Sequence, residues 1–209
     1  MIRKPMAEVI PTRPSLLRRI KNWTDDESWK DFSTTYRGLI FGFALKRGLN
    51  ESEAEDVVQE TMVSVAKSIG QFQYEPARCA FKSWLMQLTQ RRITDHLRRN
   101  AREQLANNPQ SSEHESAMNR IPDPAESDLE RLWNEEWERN LIETAMNKLK
   151  AQVSVKHFQI FYLHVIKNQP TRQVARALAL NVAQVYLVKH RLKSAFDKIV
   201  VRLQREWAK

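Results

Sequence analysis

Acidic and apolar side chains near residue 60 have the types and spacing of a binding surface. Asp56, Gln59, Glu60 and Val63 recur at steps of three and four, so they share one side of a predicted helix. Two acids beside an exposed valine, in a basic part of the chain, favour a face for a basic protein partner. The alternative is a solvated helix face whose acids lie near the positive N-terminus of the helix.

Basic and aromatic side chains follow in a predicted loop and helix. The loop over residues 70–80 contains Phe72 and Tyr74, and an arginine-rich helix begins at Phe81. Bases stack on aromatic rings while arginines neutralise phosphates, so this pair of elements suits single-stranded nucleic acid. The candidate residues on the helix are Lys82, Trp84, Gln87, Arg91, Thr94, Arg98 and Arg99. The alternative is that the aromatics are core residues, and we favour it for Trp84.

A helix-turn-helix is predicted near the C-terminus. Residues 171–178 form a short helix, residues 179–181 a turn, and residues 182–193 a basic helix with Asn181 as its N-cap. The second helix of such a motif enters the major groove of DNA. The expected buried positions are Val174, Ala175, Leu178, Leu180, Val185, Val188 and Leu192.

The elements that must position these residues are predicted to be helical. Only four glycines occur in 209 residues, few for a β-protein with many tight turns. Phe32, Tyr36, Leu39 and Phe43 recur at helical spacing before Gly48, a plausible helix end. Ser52 and Glu55 fit a capping box for the next helix. We therefore predict an all-α fold with two small helical domains.

The charge distribution separates the two domains. Residues 1–102 carry 18 Lys and Arg against 12 Asp and Glu, residues 103–147 carry 3 against 11, and residues 148–209 carry 13 against 2. Two basic blocks indicate two contacts with a polyanion. The polar, acidic middle block predicts a flexible linker. The expected organisation is an N-terminal extension (1–24), a first helical domain (25–102), an acidic linker (103–137) and a helix-turn-helix domain (138–209).

No pattern in the sequence indicates a catalytic, metal or cofactor site. The five histidines form no ligand pair, and no glycine-rich phosphate loop occurs. Cys79 is the single cysteine, which excludes an internal disulfide and is consistent with a reducing compartment. No apolar run is long enough to cross a membrane, and the N-terminus does not resemble a signal peptide. We expect a cytoplasmic protein that is not an enzyme, has no cofactor and does not bind membranes.

Three segments in order resemble sigma-70-type RNA polymerase sigma factors of the extracytoplasmic-function subfamily. They are residues 54–62, residues 81–85 with 93–99, and residues 173–175 with 182–186 and 189–191. The resemblance covers about residues 25–102 and 138–206. It implies that the first domain is a sigma region-two helical bundle and the second a sigma region-four helix-turn-helix. A role in transcription initiation as the promoter-specificity subunit of bacterial core RNA polymerase follows from it.

The resemblance also assigns roles to the candidate residues. Asp56, Gln59, Glu60 and Val63 would bind core polymerase. The loop and helix around Phe81 would bind melted minus-ten promoter DNA, with one base flipped into a pocket. The minus-thirty-five duplex would be bound by Gln184, Tyr186, Leu187, Lys189, His190, Arg191 and Lys193, the first three facing base edges and the others nearer phosphates. An anti-sigma factor is a candidate further partner.

The sequence departs from the sigma-factor pattern in two places, and it also fits two other functions. Ala179 stands where the family usually has glycine in the turn, so the turn is expected to have a different shape. Trp133 and Trp137 have no role in the family pattern. The alternative functions are a conventional helix-turn-helix regulator that binds duplex DNA without polymerase, and a protein-interaction module whose basic helices bind acidic proteins.

Overall fold

The computed structural model describes residues 13–72, 81–107 and 126–207, and the description of side chains within them omits the outermost helix residues. These residues contain helices and no strand, which confirms the all-α fold. The helices are α1 Arg13–Arg19, α2 Asp26–Lys46, α3 Glu51–Ser68, α4 Phe81–Asn107, α5 Glu126–Gln152, α6 Val155–Phe161 continued by a π-helical turn over Tyr162–Ile166, α7 Thr171–Ala177 and α8 Val182–Trp207. The chain divides into two compact units, and the second is Glu138–Arg205.

The core of the first unit is built from the apolar sides of α2, α3 and α4. The periodicity of α2 holds, because Phe32, Tyr36, Leu39 and Phe43 are all buried. Helix α3 buries Ala54, Val57, Val58 and Val65, and α4 buries Phe81, Leu85 and Ile93. Helix α1 lies inside the expected N-terminal extension, and Leu16 within it and Ile20 directly after it are buried. The extension therefore contributes to a folded unit.

The ends of α2 and α3 are fixed by local hydrogen bonds. Asp25 caps α2 by accepting bonds from the backbone N–H and the hydroxyl of Ser28, at 3.0 and 2.7 Å. Gly48 follows α2 with a left-handed φ of +88°, as a helix-ending glycine does. The capping box of α3 is formed by Asn50 and Glu53, not by Ser52 and Glu55. Glu55 instead forms an ion pair with Arg37 of α2.

The expected linker over residues 103–137 is helical at both ends, which corrects the sequence prediction. Helix α4 continues to Asn107, and α5 begins at Glu126. Leu129, Trp133 and Trp137 recur every fourth residue along α5, and all three are buried. The ring of Trp133 meets Phe43 edge-on, with 5.0 Å between the centroids. Burial of large aromatic side chains outweighs the acidic composition that suggested an unfolded segment.

Ion pairs of Lys46 with two glutamates also join α5 to α2. The ammonium of Lys46 lies 2.7 Å from Glu135 Oε2 and 3.1 Å from Glu136 Oε1. The Glu135 contact is the main cause of a raised pKa of Lys46, and Lys46 in turn lowers the pKa of Glu135. A Cβ atom at Gly42 would overlap the carboxylate of Glu136, so the lack of a side chain at Gly42 leaves room for this carboxylate.

The second unit contains the expected helix-turn-helix. Helices α7 and α8 enclose a small core of Ile160, Val174, Ala175 and Val185, against which Leu163, Leu178, Leu180 and Val188 pack. Asn181 caps α8 by accepting a 2.8 Å bond from the Ala183 N–H. Helix α8 runs to Trp207, well beyond the predicted end near Lys193. Pro170 directly precedes α7.

The turn between α7 and α8 keeps the left-handed shape of a glycine turn although it lacks glycine. Ala179 has φ +50°, and the N–H of Leu180 bonds the carbonyl of Ala175 at 2.8 Å. The altered shape expected from the alanine was therefore wrong. A left-handed alanine costs about 1–2 kcal/mol relative to an ordinary conformation, so the packing on both sides of the turn must overcome this strain.

Candidate nucleic-acid interface

The acidic face of α3 lies as its spacing predicted. Asp56, Gln59 and Val63 are exposed, Val63 to 51%, and Glu60 is half-buried. A shallow groove of about 370 Å³ runs beside this face, between α3 and α4. Its lining residues are Gln59, Glu60, Val63, Ser64, Lys67 and Arg92. The groove thus places an acidic and an apolar side chain, Glu60 and Val63, beside two basic side chains, Lys67 and Arg92.

One side of α4 presents polar and basic groups in a continuous stripe, which we call the α4 stripe. Gln87, Arg91 and Arg98 are exposed and Thr94 is half-buried, and the four residues recur at steps of three and four. The opposite side carries Leu85 and Ile93 in the core. The stripe can therefore contact a strand of nucleic acid without disturbing the packing of α4.

The aromatic residues near α4 belong mostly to the core. Phe72 is only 8% exposed. The centroid of its ring lies 4.6 Å from that of Trp84 and 6.1 Å from that of Phe81. Phe72 is thus not available to stack a base, which corrects the loop prediction. Trp84 is half-buried beside it. Tyr74 and Cys79 lie outside the described residues.

Two basic residues predicted with the α4 stripe point elsewhere. Lys82 lies two residues before Trp84, on a different side of the helix, and its ammonium is 5.4 Å from the ring centroid of Trp137. Arg99 turns towards α3, where its guanidinium donates a 2.9 Å hydrogen bond to Glu60. This bond is the largest cause of a raised pKa of Arg99, and the negative charge of Glu60 adds to it.

The first turns of α8 present the predicted duplex-binding residues to solvent. Leu187 is 69% exposed and Tyr186 52%, and Gln184, His190, Arg191 and Lys193 are also exposed. Gln184 has a second role, because its Oε1 accepts a 3.3 Å bond from the Asn181 N–H at the helix start. Lys189 is half-buried, with its ammonium 5.6 Å from the Tyr186 ring.

Helix α6 adds residues to this region that the sequence patterns did not single out. A groove of about 270 Å³ separates α6 from α8, and it is lined by Lys156, His157, Ile160, Leu180, Gln184, Leu187 and Val188. The guanidinium of Arg191 lies 3.4 Å from Nδ1 of His157. No motif spacing links residues 157 and 191, so only the fold could reveal this contact.

Neither a metal cluster nor a membrane span occurs in the part of the chain that the structure describes. No group of three His, Cys, Asp or Glu residues there could hold a metal ion. None of the described helices is both long and apolar enough to cross a membrane.

Comparison with known proteins finds one family match, and it lies within the first unit. Residues 32–103 match the family model of sigma-70 region 2, a span that runs from α2 into α4. No curated protein is significantly similar to the chain. Among solved structures, the chain resembles CnrH in complex with the cytosolic domain of CnrY, at 16% identity over 90% of this chain and 96% of that chain, with a TM-score of 0.35. The region 2 match confirms the resemblance to sigma-70-type sigma factors within residues 32–103.

Proposed function

We propose that the chain is an extracytoplasmic-function sigma factor, the dissociable subunit that directs bacterial core RNA polymerase to promoters. The observation that carries this proposal is the region 2 match over residues 32–103, together with a folded unit that exposes the relevant side chains. The chain would contribute binding surfaces, and the catalytic centre would belong to the polymerase.

The first surface in this proposal is the acidic face of α3, which binds core polymerase. Asp56 and Gln59 are exposed, and Val63 adds apolar area beside the groove. A basic partner surface gains charge attraction from the acids and buries the valine on contact. Asp56 is the better test residue, because Glu60 already contacts Arg99.

The second surface is the α4 stripe, which binds the melted minus-ten strand. Arg91 and Arg98 would neutralise phosphates, while Gln87 and Thr94 can hydrogen-bond base edges. The ring of Trp84 packs on Phe72, so we assign it to shaping the surface. The loop residues 73–80, which the resemblance implies for the flipped base, lie outside the described residues.

The third surface is the start of α8, which enters the major groove at the minus-thirty-five element. Gln184, Tyr186 and Leu187 lie within the first two turns, where helix-turn-helix proteins contact bases. Arg191 and Lys193 follow on the next turn and would contact phosphates. His190 and Lys189 pack around the ring of Tyr186 and would hold it in place.

Transcription in vitro tests this function. Purified chain and bacterial core polymerase, with a library of promoter fragments, should give starts at defined sites that core alone does not give. Asp56→Lys should abolish both core binding and these starts. Glu51→Lys is the control, because it makes the same charge change on α3 away from the acidic face. Sequence-specific duplex binding without promoter-dependent starts would instead identify a conventional helix-turn-helix regulator.

A further inference from the structure

The acidic face of α3 and the arginines of α4 are joined by one ion pair. The guanidinium of Arg99 lies 2.9 Å from Oε1 of Glu60, and the two side chains are 51% and 31% exposed. Glu60 belongs to the predicted core-binding residues and Arg99 to the predicted minus-ten residues. Both partners are accessible, so each can exchange the other for an external charge.

Acidic groups compensate the charge of Arg99 in the free protein. Glu60 bonds it directly, and Glu103 and Asp56 act on it at longer range. A DNA phosphate that approaches Arg99 must therefore compete with a carboxylate already in contact with the guanidinium. A cation that approaches Glu60 must likewise compete with Arg99.

We propose that the Glu60–Arg99 ion pair couples partner binding to DNA binding in this chain. The proposal rests on the proposed function, in which a basic surface of core polymerase binds the acidic face. A lysine or arginine of the partner that binds Glu60 releases Arg99, and the freed guanidinium binds a phosphate of the promoter strand. Thermodynamic linkage makes the effect reciprocal, so DNA that binds Arg99 strengthens partner binding by the same factor.

The exposure of the pair sets the size of the coupling. Exposed ion pairs contribute at most about 1 kcal/mol, which converts to about a fivefold change in an equilibrium constant. We therefore expect a coupling of about two- to fivefold. The ion pair would therefore weaken DNA binding by the free protein without preventing it.

The DNA half of the proposal is tested with the full chain and a fluorescent single-stranded oligonucleotide at low salt, without polymerase. Glu60→Ala should raise affinity about two- to fivefold more than Glu55→Ala. Glu55 is a matched control because it also lies on α3 and pairs with an exposed arginine, Arg37. The extra gain should vanish in the Arg99→Ala background, because a double-mutant cycle isolates the pair. Equal gains from both glutamate variants, a gain that persists without Arg99, or no binding by any variant would each overturn the coupling.

The partner half is tested by titrating core polymerase without DNA. Arg99→Ala frees Glu60 and should tighten core binding about two- to fivefold, whereas Arg37→Ala should leave it unchanged. Unchanged core affinity in Arg99→Ala would overturn the coupling. Promoter-dependent starts by the unaltered chain are scored in parallel, so failure of the coupling and failure of the sigma-factor function give different results.

Discussion

Replacement of Trp133 by alanine tests whether the start of α5 is part of the first folded unit. The indole is 1% exposed and packs edge-on against Phe43 of α2. Removal of a buried tryptophan or phenylalanine side chain typically costs about 3–5 kcal/mol in unfolding free energy. The indole Nε1 has no hydrogen-bond partner among the described residues, so the variant also removes a buried polar group whose desolvation opposes folding. We therefore expect a loss near the lower end, about 3 kcal/mol.

The assay is urea unfolding of the full chain followed by far-ultraviolet circular dichroism. Because two compact units can unfold separately, hydrogen exchange of α2 amides should locate the loss in the first unit. Trp23→Ala is the matched control, since Trp23 is 61% exposed and exposed substitutions usually change stability by less than about 0.5 kcal/mol. If Trp133→Ala proved as harmless as Trp23→Ala, α5 would not stabilise the first unit and the acidic segment would act as a tether up to residue 137.

Three further predictions concern single residues. Ala179→Gly should stabilise the second unit by about 0.5–1 kcal/mol in chemical unfolding, because relief of the left-handed strain exceeds the entropic cost of glycine. The control is Ala195→Gly inside α8, which should destabilise the unit by about 1 kcal/mol. Ser28 and Arg19 lower the pKa of Asp25 from 3.8 to about 2, so the stability that Asp25 contributes should be complete above about pH 4 and decline as the pH falls towards 2. The free energy of unfolding of the unaltered chain and of Asp25→Asn should be measured across that pH range. The difference between the two values should become smaller as the pH falls. Gln184→Ala should change which duplex sequences are preferred, by about 1–3 kcal/mol per lost base contact, whereas Arg191→Ala should weaken all sequences about equally in a salt-dependent binding assay.

Helical periodicity predicted most of the fold because the core is helical and its apolar residues recur regularly. The buried residues of α2, α3 and the helix-turn-helix follow directly from that period. The N-cap at Asn181 was also predictable, since an asparagine before an apolar helix has few other roles. Two capping-box patterns overlap at the start of α3, Asn50 with Glu53 and Ser52 with Glu55. Because the helix begins at Glu51, Asn50 is the N-cap and the first pattern forms.

Tertiary contacts account for what the sequence did not reveal. Leu129, Trp133 and Trp137 are spaced for one apolar side, but their acidic surroundings suggested a linker. Contacts that the sequence does not show help to bury the two tryptophans, Trp133 against Phe43 and Trp137 against Tyr36. Phe72 looked accessible in a loop, yet Phe81 and Trp84 enclose it. Lys82 contacts Trp137 and Arg99 contacts Glu60, and both contacts join residues far apart in sequence. The spacing of residues within one helix cannot predict such contacts.

The Glu60–Arg99 contact changes how mutations on the two surfaces of the first unit should be interpreted. Reversal of charge at Glu60 removes a predicted polymerase contact, and it also releases Arg99 beside a new positive charge. A defect in such a variant therefore combines partner loss, repulsion across the former ion pair and altered DNA binding. Residues in contact give non-additive effects, so the separate contributions cannot be read from single variants of this pair. Asp56 and Arg91 reduce this difficulty, because one lies on the acidic face and the other on the α4 stripe, and Asp56 acts on Arg99 only at longer range. If the surfaces act independently apart from Glu60 and Arg99, the Asp56→Lys and Arg91→Ala effects on promoter-complex formation should add within about 0.5 kcal/mol.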